Sequence, residues 1–279
     1  MELWRIRSND YQVPVSWYPA ENASASIVLM AALGVGARFY QPLAVALQKS
    51  GVNVALVEQR GHGDSALRPS RQTDFGFREA LQDDIPAVLG HLQELSSTQP
   101  CYLMGHSLGG HYAAITAGRF PERIAGVIII ACGSPWTEAF SGRTRRQLKL
   151  LCRLIPFFNA VLGYYPGDRL GFGGREARTL MADWVALAKT NVYQACGMKE
   201  DFDAAIGRYP GPLLSIRLAD DPFAPQAAMA AVSDKFCSAA VNKVVIGAAE
   251  LGDKADHFRW ARTPAAVVNQ VLRWLEKQS

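Results

Sequence analysis

Apolar residues in this chain fall into two patterns: short unbroken runs, and longer stretches where they return every three or four positions. Leu3 to Arg7 and Val13 to Tyr18 alternate, and Ser8-Asn9-Asp10 between them predicts an opening hairpin. Ile27 to Leu33 is continuously apolar, as a parallel strand covered on both faces would be, and Gly34-Val35-Gly36 breaks it. Phe39 to Ser50 has helical spacing and meets Gly51; Val52 to Val57 is the next buried strand. Phe75 to Leu95 is helical, with Pro86 expected to kink it. Cys101 to Met104 predicts a strand, Ser107 to Arg119 a helix, and Ile124 to Ala131 another strand. Leu213 to Leu218 and Lys243 to Ile246 add two more, and Ala265 to Glu276 is a closing amphipathic helix. Strands alternating with helices at this spacing predict an α/β fold around a doubly wound, mostly parallel sheet.

The alternation is interrupted from 134 to 206. That stretch is too long for a crossover and carries helical patterns of its own, which predicts an inserted cap (134–206) in a core built from 1–133 and 207–279. Leu148, Leu151, Cys152 and Ile155 share one helical face while Arg145, Arg146, Lys149 and Arg153 take others, so a basic amphipathic helix is expected, stopped by Pro156.

At 279 residues the chain suits one large domain with an insertion, and 49% hydrophobic against 19% charged residues is ordinary for a folded protein. The net charge of +4 gains meaning only from its location: nine Lys/Arg face four Asp/Glu between Gly133 and Thr190, so the positive excess sits in the insertion. No block of like charge points to nucleic acid. The apolar runs fall short of the ~18–20 residues of a membrane span, so no stable membrane insertion is expected. The N-terminus lacks the apolar core of a signal peptide. Five cysteines without Cys-x-x-Cys spacing predict reduced thiols and a cytoplasmic location.

The chemistry starts at Gly105-His106-Ser107-Leu108-Gly109. Gly-x-Ser-x-Gly between a strand and a helix is a nucleophile elbow, in which the strained turn needs small neighbours. A serine hydroxyl is a weak nucleophile and needs a base, held in the right tautomer by a carboxylate. His62, His91, His106 and His111 precede or adjoin the elbow, whereas His257 follows the last strand; His257 is the expected base. The acid should follow the strand ending at Leu218, where Asp220 and Asp221 compete; Asp253 and Asp256 read as loop carboxylates. The oxyanion of the tetrahedral intermediate needs donors. The Leu108 amide is one, and Val35, ahead of Leu33 and Gly34, is the choice for the other. The glycine loop lacks the third glycine and later acid of a dinucleotide site, and no metal-ligand cluster is evident, so no cofactor is expected.

With these residues in view, the chain resembles the α/β-hydrolase superfamily from about Ser26 onward. Arg60-Gly61-His62-Gly63-Asp64-Ser65 is similar to that superfamily's Arg-Gly-x-Gly-x-Ser turn. Gly163-Tyr164-Tyr165-Pro166-Gly167, Asp183-Trp184 and Asp220 to Pro225 narrow the resemblance to bacterial hydrolases near the serine aminopeptidase and monoglyceride lipase-like branch. The resemblance implies an α/β-hydrolase fold with a mainly helical cap, and its Asp-x-x-x-Pro pattern favours Asp221. Leu33-Gly34 departs from the family's usual His-Gly. The implied activity is serine hydrolysis of a carboxylic ester through an acyl-enzyme, on a small acyl substrate. Acyl transfer, thioester, peptide or carbon–carbon bond hydrolysis with the same triad, and a non-catalytic ligand-binding protein, are the alternatives, and a homodimer is left open. Trp136, Phe140, Phe157, Phe158, Tyr164, Tyr165, Phe172 and Trp184 crowd the insertion, either as its own core or as the roof of an acyl pocket.

Overall fold

In the computed structural model, which describes residues 1–96 and 98–278, eight strands form one sheet. They are β1 (Glu2–Ser8), β2 (Tyr11–Tyr18), β3 (Ala25–Met30), β4 (Val52–Val57), β5 (Cys101–His106), β6 (Gly126–Ile130), β9 (Leu213–Leu218) and β10 (Val241–Ile246), in the order β1-β2-β4-β3-β5-β6-β9-β10. The β1–β2 and β2–β4 pairs are antiparallel and every later pair is parallel. The continuous apolar runs predicted this placement: β3, β4 and β6 are buried at every position, because helices cover both faces.

The helices of the sheet layers are α1 (Gln41–Lys49), α2 (Ile85–Leu95), α3 (Leu108–Arg119), α7 (Phe202–Arg208), α8 (Gln226–Ser233), the short α9 (Ala248–Leu251) and α10 (Ala265–Leu275). α10 turns Val267, Val268, Val271 and Leu275 inward, as its spacing foretold. Ahead of α2, Glu79–Asp84 forms a π-helical stretch, and Pro86 falls in the first turn of the following α-helix. The expected disturbance is thus a change of helical pitch, with the proline where its missing N–H is harmless.

Between β6 and β9 the chain leaves the sheet. It forms α4 (Gly142–Leu162), a small hairpin of β7 (Tyr164–Pro166) and β8 (Arg175–Ala177) around α5 (Gly167–Leu170), and then α6 (Arg178–Thr190). The expected stop at Pro156 does not occur: α4 runs through it to Leu162 and ends at Gly163 in the left-handed conformation (φ 78°). Proline forfeits one helical hydrogen bond. The buried Cys152 and Ile155 before it, and the half-buried Phe158 after it, pack on the core and hold the helix together across the break. The helix α7, absent from the sequence expectation, packs on α3, and the expected boundary at 206/207 falls inside it.

β3 also ends earlier than expected, at Met30 rather than Leu33. Residues 31–36 become a turn, closed by the Val35 amide donating to the Ala32 carbonyl at 3.2 Å. Chain connections run from β3 outward to β4 on one side, and from β5 outward to β6, β9 and β10 on the other. Strand order therefore reverses between β3 and β5, and a crevice opens there at the carboxyl ends.

Candidate active site

Ser107 sits at that crevice, directly after β5, with φ 52° and ψ −117°. A positive φ on a residue with a side chain is strained, and the surrounding contacts must enforce it. Its amide donates to the Ile130 carbonyl at 3.0 Å, while its carbonyl accepts from Gly110 at 2.9 Å. The glycine requirement is steric: a Cβ on Gly105 would lie 2.1 Å from the Gly109 backbone, and one on Gly109 2.3 Å from the Met30 carbonyl oxygen. Gly110 is a third constrained position, since its Cβ would meet Cys132 at 2.6 Å.

His257 lies in the loop between α9 and α10. Its Nδ1 is 2.7 Å from Asp221 Oδ2, and both side chains are buried. Asp221 Oδ1 in turn accepts from the Phe223 amide at 2.8 Å, which fixes the carboxylate plane. The His257 carbonyl accepts from Trp260 Nε1 at 2.9 Å, and Phe223 and Phe258 flank the ring edge-on. Asp220 is exposed and does something else. Its amide donates to the Ala255 carbonyl at 2.9 Å and its carboxylate accepts from the Ala255 amide at 3.3 Å, so it ties the strand end to the His257 loop. Asp253 pairs with Arg259, and Asp256 accepts from the Phe258 and Arg259 amides, as loop carboxylates do.

Ser107 and His257 line one cavity of about 390 Å³, together with Leu33 and Leu108. The Ser107 hydroxyl makes no protein hydrogen bond among the described residues; such contacts commonly tighten only when substrate is bound. Leu108 opens α3, so its N–H has no partner within the helix and points toward the serine end. Val35 behaves differently from expectation. Its amide is taken by Ala32 and its side chain packs on the core rather than lining the cavity. Leu33, with an amide free of protein acceptors among the described residues, is in the cavity wall instead. The early end of β3 causes this change, because it starts the turn three residues closer to the N-terminus.

A buried hydrogen-bond chain supports that turn. The Ala32 amide donates to Tyr40 Oη at 3.0 Å, and Tyr40 Oη lies 2.6 Å from His106 Nδ1. Burial, and then the nearby His257, push the His106 pKa well down, while burial pushes that of Tyr40 up. Both groups are therefore neutral, and the direction of the hydrogen bond between them is set by the His106 tautomer. His106, set aside as a base, thus links the elbow to the end of β3. A polar residue inside an apolar strand run was the only sequence signal for it; nothing in the sequence marked Tyr40. His111 also lines the cavity, with Nδ1 2.6 Å from Tyr193 Oη, and burial holds its pKa near about 4.

The segment between β6 and β9 closes the far side. Phe140, Leu148, Leu151, Phe172 and Trp184 line the cavity, whereas Tyr165 is buried elsewhere and Phe157 is exposed. No Asp, Glu, Lys or Arg lines it among the described residues. Gly34 (φ 78°) passes so close to the β7–β8 loop that a Cβ would lie 2.4 Å from the Gly174 nitrogen. The same loop is held by Glu176, which accepts from Gly174 at 2.7 Å and meets His62 Nε2 at 3.2 Å. Burial opposes charge on His62, but the hydrogen bond and charge of Glu176, with Glu58 behind, outweigh it and raise the pKa. The Arg-Gly-x-Gly-x-Ser turn is structural: Arg60 makes a two-point ion pair with Asp84, and the Ser65 hydroxyl accepts from the Gly61 amide.

The sheet order, the strained serine after β5 and the crevice beside it define an α/β-hydrolase fold. The family model for serine aminopeptidase, S33, matches residues 21–166, and the chain belongs to that family. It is 26% identical over 228 residues to the "Putative carbamate hydrolase RutD" of Pantoea ananatis (strain LMG 20103), covering 77% of this chain and 78% of that one. Among solved structures, Est1E from Butyrivibrio proteoclasticus with bound ferulic acid superposes with a TM-score of 0.69 at 16% identity, covering 100% of this chain and 99% of the other. The monoacylglycerol lipase of Paleococcus ferrophilus gives 0.64 at 16% identity over 100% of both chains. At such identities these likenesses establish the fold.

Proposed function

We propose that the protein is a serine hydrolase of carboxylic esters, working through an acyl-enzyme. The 2.7 Å contact of His257 Nδ1 with the buried Asp221, behind a histidine that shares its cavity with Ser107, carries this reading. Asp221 holds the proton on Nδ1, so the Nε2 lone pair faces the cavity and takes the proton from Ser107 as Oγ attacks the carbonyl carbon. The oxyanion is stabilised by the Leu108 amide and by that of Leu33, which replaces Val35 in this role because the Val35 amide is already bonded. His257 returns the proton to the leaving alkoxide, then deprotonates the water that releases the acid.

We further assign the segment 134–206 as a cap whose inner face sorts substrates. An apolar wall with Thr144, Gln147 and His111 as its polar points fits a neutral acyl chain. A peptide N-terminus would need an acid to pair its ammonium, and a carbamate anion would need a cation; the wall offers neither. Ester hydrolysis is therefore preferred over both peptide and carbamate hydrolysis. The test is labelling with a fluorophosphonate, followed by turnover of p-nitrophenyl acyl esters, aminoacyl-arylamides and carbamates. Labelling lost in Ser107→Ala, with esters the best substrates, is the expected result. Labelling that persists in Ser107→Ala would end the proposal, and faster aminoacyl-arylamide or carbamate cleavage would end its ester part.

A further inference from the structure

The outer face of α4 is at odds with a solvated helix. Leu150, Leu154, Phe157 and Val161 stand at positions i, i+4, i+7 and i+11, and are 54%, 40%, 59% and 47% exposed. This is one continuous apolar stripe on a helix whose other side lines the cavity through Leu148 and Leu151. Leu170, Phe223 and Phe258, all on the cavity wall, are also 49%, 47% and 41% exposed, so the cavity itself opens through apolar side chains.

Charge on the same helix identifies what covers the stripe. Residues 142–162 contain five basic and no acidic side chains. Glu138 pairs with both Arg145 and Lys149, while Arg143, Arg146 and Arg153 are exposed and without an ion-pair partner among the described residues. Arg143 and Arg146 lie in the first two turns, where the helix dipole disfavours cations, so they do not stabilise the helix itself. A second copy of this helix would bring no acid to meet them. An anionic surface meets both demands, taking the arginines at its headgroups and the apolar stripe at the acyl boundary. We propose that α4 docks this protein on anionic lipid bilayers, lying in the interface plane with the cavity mouth beside it. The docking is independent of the catalytic assignment.

The test is co-sedimentation with sucrose-loaded vesicles of phosphatidylcholine, with and without phosphatidylglycerol, using the Ser107→Ala protein so that no lipid is consumed. Wild-type turnover of a short soluble ester, compared in the same variants without vesicles, reports folding, since neither Leu154 nor Phe157 lines the cavity. Binding to anionic vesicles, weaker at high salt and reduced at least tenfold both in Leu154→Glu/Phe157→Glu and in Arg146→Glu/Arg153→Glu, is the expected result. Light scattering is run in parallel. A dimer that Leu154→Glu/Phe157→Glu dissociates, with no vesicle binding, would assign the stripe to a second copy and overturn the proposal. No binding by a monomer, or binding indifferent to lipid charge, would overturn it as well.

Discussion

Replacing Asp221 by asparagine isolates what one carboxylate contributes. The side chain is 4% exposed, and asparagine can keep the bond from the Phe223 amide, so the loop should hold its shape. What changes is the face toward His257 Nδ1, 2.7 Å away. An amide N–H there donates, Nδ1 must accept, and the ring proton moves to Nε2, where it blocks proton uptake from Ser107. The loss expected from a wrong tautomer is ~10⁴-fold in kcat, or about 5 kcal/mol of transition-state stabilisation. Asp220→Asn is the matched control. That side chain is exposed and contributes one long hydrogen bond to Ala255, which asparagine oxygen also accepts, so a change near twofold is expected, about 0.5 kcal/mol. The assay is kcat and KM for p-nitrophenyl butyrate at fixed pH, with near-ultraviolet circular dichroism to confirm folding. Losses within tenfold of each other, or a larger loss at Asp220, would refute the assignment of the acid.

Other outcomes follow from the same geometry. Asp183 accepts from the Phe77 and Cys196 amides at 2.9 Å each, joining α6 to the start of the helix before α2; Asp183→Ala leaves two buried donors, and a loss of roughly 2–5 kcal/mol in denaturant unfolding is expected, against which a change under 0.5 kcal/mol would count. Because burial holds the Asp183 carboxyl up at about 6, Asp183→Asn should lose less at pH 8 than Asp183→Ala, and equal losses would show that the donors find other acceptors. Each added acyl methylene that enters the cavity is worth ~0.8 kcal/mol, so kcat/KM should climb about fourfold per methylene from acetate until the cavity is full, and Leu151→Trp should shorten the optimum; a flat profile would deny the cap a role in selection. The His62 pKa is raised in the folded state. The stability of its pair with Glu176 is therefore complete below the ordinary imidazole value and fades as pH rises through the folded-state value. Tm should consequently fall more steeply above neutral pH in wild type than in His62→Gln, and parallel curves would dismiss the ion pair.

Much of this molecule was local enough to be read without coordinates. Continuous apolar runs announce strands covered on both faces, because water reaches neither face of such a strand; β3, β4 and β6 are buried at every position, with Ser26 and Asn53 the polar residues within β3 and β4. The elbow was legible because its strain forces glycine at 105 and 109 whatever the rest of the chain does. His257 and the acid loop followed from chain order alone.

Choices between neighbours were a different matter, since they turn on a few ångströms of packing. Whether Asp220 or Asp221 meets His257 is decided by which of two successive side chains the strand end turns inward. Leu33 rather than Val35 faces the cavity because the turn closes through Ala32, a bond no propensity encodes. Pro156 breaks a helix by every local rule, yet α4 continues because Ile155 and Phe158 are anchored on the core. His62 and Glu176 are more than a hundred residues apart and become partners only where the β7–β8 loop folds back over Gly34. Sequence by itself determined most of the strands, the strained elbow at Ser107 and the chain order of Asp221 and His257 after it, since those depend on short-range sterics and periodicity. Tertiary structure alone decided which amide is left free at the cavity, which carboxylate meets His257 and which side chains of the segment 134–206 line the cavity, because these depend on long-range contacts that each residue's neighbours in sequence do not specify.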